Sequence, residues 1–150
     1  MNNLSKVSEI EVFFRPKYKA SERPKMTSSK DAYLILIDVW KEGLMQFTEE
    51  FKVILLNSAN RVLGIVDIAK GGKDYVPVDM KLIFSIALKA SASKIILAHN
   101  HPSGSLVPSS ADKQLTQKSI EASKVLDIEI CDHIIVSNEG YFSFRDDGLM

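Results

Sequence analysis

Cysteine is nearly absent from this sequence. Among its 150 residues only Cys131 carries a thiol, which excludes an internal disulfide and a Cys-based zinc cluster. Net charge is absent as well: nineteen Lys and Arg offset nineteen Asp and Glu. The chain therefore lacks the overall electrostatic footprint of a general nucleic-acid binder, a balance that still leaves room for a local basic patch. No apolar run reaches the roughly 18 to 20 residues that a membrane span needs. Met1-Asn2-Asn3-Leu4-Ser5-Lys6 lacks the apolar centre of a signal peptide. There is no Gly-x-Ser-x-Gly elbow, no phosphate loop and no Pro-Cys-x-x-Cys pair of the kind zinc deaminases use. Internal repeats and low-complexity tracts are missing too. These absences predict one cytoplasmic domain over residues 1–150 with no membrane partner, and at 45% hydrophobic residues it has enough apolar mass for an unstapled core.

Taken in order, Ile10-Glu11-Val12-Phe13-Phe14 predicts a short strand stopped near Arg15-Pro16, and residues 17–25 an extended connector. Ser28 and Asp31 offer capping chemistry for a first helix from about Ser29 to Glu42, with Tyr33, Leu34, Ile37 and Trp40 at helical spacing and Gly43 as a stop. Residues 49–57 and 61–68 predict a hairpin turning through Asn57-Ser58-Ala59-Asn60. Gly71-Gly72-Lys73 predicts a flexible link. A second helix opens at Pro77 to Asp79, with Leu82, Ile83, Ile86, Ala87 and Ala90 as its apolar stripe. Lys94-Ile95-Ile96-Leu97-Ala98 has no alternation, the pattern of a strand buried on both faces. A third helix starts near Ser109, with Leu115, Ser119, Ala122 and Leu126 facing inward. Residues 129–136 and 141–144 predict two further strands. Strands alternating with helices, plus one hairpin, predict an α/β fold with a mixed sheet in three layers.

The buried strand runs directly into His99-Asn100-His101, which holds two of only three histidines. Residues two apart on a strand share a face, so both imidazoles can converge on one ion. Asp112 follows in the first turn of the third helix, beyond a Pro and Gly turn. Two His and one Asp with open positions suit a catalytic metal; Zn²⁺ is the first choice, and Mn, Fe, Co or Ni also accept such donors. Ser109-Ser110-Ala111-Asp112 is equally a capping box. The end of a central strand is the usual ligand site of an open α/β sheet. A metal hydrolase also needs a proton-transfer carboxylate; periodicity leaves Glu49 and Glu50 as candidates without choosing. His133 offers either a second-layer partner of the metal ligands or, the favoured reading, a strand-end histidine bonded to Asp132. Cys131 reads as a small core residue.

His99-x-His101-x7-Ser109-x2-Asp112 resembles the JAMM metallopeptidase motif. His99-Asn100-His101-Pro102-Ser103-Gly104 resembles its RadC-like branch, as do residues 51–57, Asp132-His133-Ile134-Ile135 and Tyr141-Phe142-Ser143-Phe144. The resemblance runs from about Ser28 to the last residue, leaving residues 1–27 as an added strand and connector. It implies an MPN/JAB domain, a mixed sheet between helices in the layout of cytidine deaminases. It implies Zn²⁺ on His99, His101 and Asp112 with a water as fourth ligand, and Ser109 supporting the tetrahedral intermediate. It points to Glu49 as general base and acid. Sharing a face with Phe51 and Val53, Glu49 must then sit at the sheet's edge to reach the metal.

Two departures stand out. The helix-hairpin-helix region of full-length RadC proteins has no counterpart here, and the usual Pro-Arg-Glu before the second helix is Pro77-Val78-Asp79. The leading expectation is a zinc-dependent peptidase or isopeptidase. The alternatives are a DNA repair-associated accessory module, which the neutral charge does not support, and a catalytically idle metal-binding interaction domain. Substrate specificity is expected from residues 69–75 and 103–107.

Overall fold

A computed structural model of the chain describes residues 6–11, 13–72 and 75–150. The element order is α1 (Ser29–Val39), β1 (Glu50–Leu56), β2 (Val62–Lys70), α2 (Met80–Lys89), β3 (Lys94–Asn100), α3 (Ser110–Val125), β4 (Glu129–Ser137) and β5 (Gly140–Ser143). The strands form one sheet in the order β2-β1-β3-β4-β5. Only β3 and β4 run parallel, joined by the crossover through α3; the other neighbours are antiparallel. The mixed α/β sheet expected from the sequence is therefore present.

Period-two alternation splits the sheet's side chains between two cores. On one face Ile54, Leu56, Ile96, Ala98, Ile134 and Val136 pack with Ala32, Leu36 and Trp40 of the α1 region. On the other, Phe51, Val53, Leu55, Ile95 and Leu97 pack with Ile83, Phe84 and Ala87 of α2 and with Leu115 and Ile120 of α3. Every residue of β1 is buried, as a strand sandwiched between helices requires. In β4 a register shift interrupts this alternation. Ile95 pairs with Ile130 but Ile96 pairs with Asp132, so Cys131 is an extra residue in β4. The shift re-aims everything after it, as bulges do: Asp132 turns toward the α1 face and His133, paired with Leu97, toward α2 and α3.

Several local expectations need correction. Ile10, Glu11, Phe13 and Phe14 lie in no strand, and Val12 lies outside the described residues; Ile10 is 85% exposed. Strand-forming residues without a ladder partner have nothing to pay for ordering them. Helix α1 ends at Val39, where Trp40 becomes extended at φ −72°, ψ 126°. Its buried residues are Ala32 and Leu36, while Leu34 and Ile37 are exposed; a helix apolar almost all round gives periodicity no single face to select. Helix α2 buries Phe84 rather than Leu82. Along the inner side of α3, Asp112, Thr116, Ser119 and Ser123 are buried and Leu115 and Ala122 pack half-buried against the core, whereas the expected Leu126 is 38% exposed. Ser119 and Ser123 satisfy their hydroxyls on the carbonyls of Leu115 and Ile120, each at 2.8 Å.

The glycine link is tied down where it is described. Gly71 N–H donates to Glu49 O and Glu49 N–H to Gly72 O, both at 2.8 Å. A Cβ on Gly71 would lie 1.9 Å from Tyr75 O, so only glycine fits that return. Lys73 lies outside the described residues.

Candidate metal centre

The register between β1 and β3 assembles the site. Phe51 pairs with His99, and the same antiparallel register, continued past the start of β1, sets Glu49 opposite His101. Glu49 thus reaches the histidines from the end of an interior strand, not from the sheet's edge as expected from the sequence. Glu50 turns to the other face, where its Oε1 lies 3.7 Å from Lys70 Nζ. Alternation therefore separates two adjacent carboxylates that the sequence could not rank.

Asn100, between the two histidines, faces away from them and is fully buried. Its Nδ2 donates to Met45 O at 2.7 Å and Thr48 O at 2.8 Å, and its Oδ1 accepts from Glu50 N–H at 2.7 Å. One side chain therefore pins the segment that delivers Glu49. Sequence reasoning passed over Asn100; its only signal was a polar residue where the buried strand leaves apolar ones on that face.

Asp112 is aimed by its helix cap. Ser109 Oγ accepts from Asp112 N–H at 3.1 Å, and Asp112 Oδ2 accepts from Ser109 N–H at 2.7 Å. The cap and the aiming of this carboxylate at the two histidines are thus one geometry. Asp112 Oδ1 lies 3.1 Å from His99 Nε2 and Oδ2 lies 3.3 Å from His101 Nε2. The two Nε2 atoms are 2.9 Å apart. A tetrahedral zinc with bonds near 2.0–2.1 Å would separate its donors by about 3.3 Å, so the three side chains fit a small cation of that kind. With Glu49 they form a group of four whose ligand atoms lie within 4.8 Å of one another. His101 Nδ1 faces the Ser105 carbonyl at 2.8 Å. A carbonyl only accepts, so Nδ1 carries a proton, and in the neutral ring Nε2 keeps the lone pair.

The electrostatics favour an ionised Asp112 beside a neutral His99. Burial lowers His99 below the ordinary imidazole value against the opposing pull of Asp112. Contact with the Asp112 carboxylate acts to raise His101. Burial acts to raise Asp112, yet its contacts with His101 and His99 hold its carboxyl well below the usual range.

His133 is not a strand-end residue bonded through its ring to Asp132. It lies inside β4, fully buried, and Asp132 takes only its backbone N–H, at 2.7 Å. The ring meets His99 Nδ1 through Nε2 at 2.8 Å and Thr116 Oγ1 through Nδ1 at 2.6 Å. Phe144 stacks on it with ring centres 4.7 Å apart. Burial lowers its basicity well below the ordinary imidazole value. Thr116 was overlooked, although it stands four residues after Asp112 and so shares its helix face.

A cavity of about 430 Å³ opens over the cluster. Its lining includes Glu49, His99, His101, Ser109 and Asp112 together with the apolar Val76, Val78 and Leu115 and the ring of Tyr75. Tyr75 and Ser103 come from the two segments expected to set specificity, 69–75 and 103–107.

Residues 26–149 match the sequence model of the RadC-like JAB domain. The chain belongs to that family. Among similar curated proteins, a UPF0758 protein of Flavobacterium johnsoniae is 44% identical over 125 residues, covering 83% of this chain and 53% of its own length. Another, from Porphyromonas gingivalis, is 39% identical over 136 residues, covering 90% and 59%. A third, from Symbiobacterium thermophilum, is 41% identical over 102 residues, covering 68% and 44%. The chain thus spans about half the length of the curated relatives it matches. No helix among the described residues is long and apolar enough to cross a membrane.

Proposed function

We propose that this RadC-like JAB domain is a zinc-dependent hydrolase that cleaves an amide or isopeptide bond of a peptide substrate. The observation that carries the reading is the convergence of His99 Nε2, His101 Nε2 and the Asp112 carboxylate beside Glu49, at the floor of an open cavity. His99, His101 and Asp112 would hold the ion. Bound Zn²⁺ supplies a Lewis acid for the scissile carbonyl and brings the pKa of a coordinated water to about 7.

The protein's own groups do the rest. A Glu49 carboxylate oxygen takes the proton from the attacking water and returns it to the departing amine nitrogen. Ser109 Oγ accepts from Asp112 N–H, which leaves its hydroxyl proton to donate to the oxyanion that forms on the carbonyl oxygen. The apolar lining of Tyr75, Val76, Val78 and Leu115 receives the substrate's flanks and displaces water there.

The test is hydrolysis of a panel of peptide and isopeptide substrates by the zinc-loaded chain and by Glu49→Gln. The variant should keep its zinc and lose roughly 10² to 10⁴ in rate on any substrate the native chain cleaves. Full activity of Glu49→Gln would refute the assignment of that residue.

A further inference from the structure

We propose that His133 and Thr116 form a hydrogen-bond relay that fixes the tautomer of His99, so that His99 Nε2 faces the site as a lone pair. Both are positioning residues acting through His99, and the proposal rests on the metal-site reading of that residue.

The relay follows from counting protons. Thr116 has one hydroxyl proton, and Oγ1 lies 2.8 Å from the backbone carbonyl of Asp112. The carbonyl can only accept, so the proton goes there. Thr116 Oγ1 must then accept at its other contact, 2.6 Å from His133 Nδ1, which makes Nδ1 the protonated nitrogen of His133. Nε2 of the neutral His133 ring is left with a lone pair. That lone pair faces His99 Nδ1 at 2.8 Å, so His99 carries its proton on Nδ1. Its Nε2, directed at Asp112 and His101, is left free to ligate. Reversing any one bond reverses the chain and places a proton on His99 Nε2, where it would block ligation.

The surroundings keep the relay in one state. His133 is fully buried and Thr116 is 2% exposed, so water does not compete for these bonds. Phe51 stands edge-on to His133 and Phe144 stacks on it, which fixes the ring plane. The extra residue Cys131 turns His133 to this side of the sheet, and a four-residue step along α3 brings Thr116 to meet it. Partners that orient ligand imidazoles are worth about 10- to 100-fold in metal affinity.

The experiment uses the full chain with ¹⁵N-labelled imidazoles. Long-range ¹H–¹⁵N spectra of the metal-free protein should show His99 and His133 both protonated at Nδ1. Zinc titrations in competition with a chelator should show Thr116→Val weakened about 10- to 100-fold, with the His99 proton displaced toward Nε2, while Thr116→Ser restores native affinity. A proton on His99 Nε2 in the native chain overturns the relay whatever the variants do. Native zinc affinity in Thr116→Val overturns the relay while leaving the metal site standing. The expected tautomers in a chain that binds no zinc support the relay and overturn the metal reading.

Discussion

Asp132 and His133 are neighbours in β4, both buried, yet they end in polar clusters of opposite kinds. On the α1 face, Asp132 is saturated. Its Oδ1 accepts from the backbone N–H of His133 at 2.7 Å and of Arg145 at 3.0 Å, and its Oδ2 from Ser143 Oγ at 2.6 Å. On the other face, His133 leads through His99 to a place where two imidazole nitrogens and a carboxylate turn acceptor atoms toward one another. Donors and acceptors match in the first cluster, so it needs nothing more. The second has an excess of acceptors, and a cation is what such an excess accommodates. Burial alone does not mark a functional carboxylate; the direction of its lone pairs does.

Zinc should break the symmetry between the two clusters most visibly. At a thousandfold excess over its Kd, a ligand specific to the folded state stabilises by about 4 kcal/mol. Zinc should therefore raise the melting temperature of the native chain, and a chelator should reverse the rise. Asp112→Ala should abolish the response, whereas Asp132→Asn should retain it in full. A loss of the zinc response in Asp132→Asn would mean that the two faces are one system.

Stability should separate them the other way. Asp132→Ala leaves three donors without their acceptor and should cost about 3 kcal/mol in chemical denaturation. Asp132→Asn keeps the Oδ1 acceptor for both backbone N–H groups and offers its amide to Ser143, so it should stay within about 1 kcal/mol at pH 7. Asn100→Ala, which frees the carbonyls of Met45 and Thr48 and the Glu50 N–H, should cost about 2 kcal/mol. It should also speed amide exchange across residues 45–50, the segment that carries Glu49.

The smallest effect is one of pH. Burial raises the Asp132 carboxyl above its ordinary value. Its folded pKa then exceeds its unfolded one, so its contribution is full below the unfolded pKa and is lost as pH rises through the folded one. The stability of the native chain relative to Asp132→Asn should therefore decline as pH rises from the ordinary carboxylate pKa through that raised value. An unchanged difference across that window would show that the carboxyl is not perturbed.

Much of this was legible in the residues. The mixed sheet followed from alternating elements, and the buried character of β3 from an apolar run without alternation. Ser109 and Asp112 declared both the helix start and the candidate ligand. The unreadable part depended on contacts distant in sequence. Glu49 and Glu50 separate only through the pairing of β1 with β3. His133 faces the site because Cys131 shifts the register of an otherwise uniform apolar strand. Thr116 and Asn100 matter through partners on other elements, and no local pattern announces such partners. The exposed residues of the Ile10–Phe14 segment show the converse, a strong local preference that no partner strand realises.

Whether the acceptor-rich cluster holds a metal is read out by elemental analysis of the purified chain beside His101→Ala. One zinc per native chain is expected, with most of it lost from the variant. Equal metal content in the two proteins would contradict it.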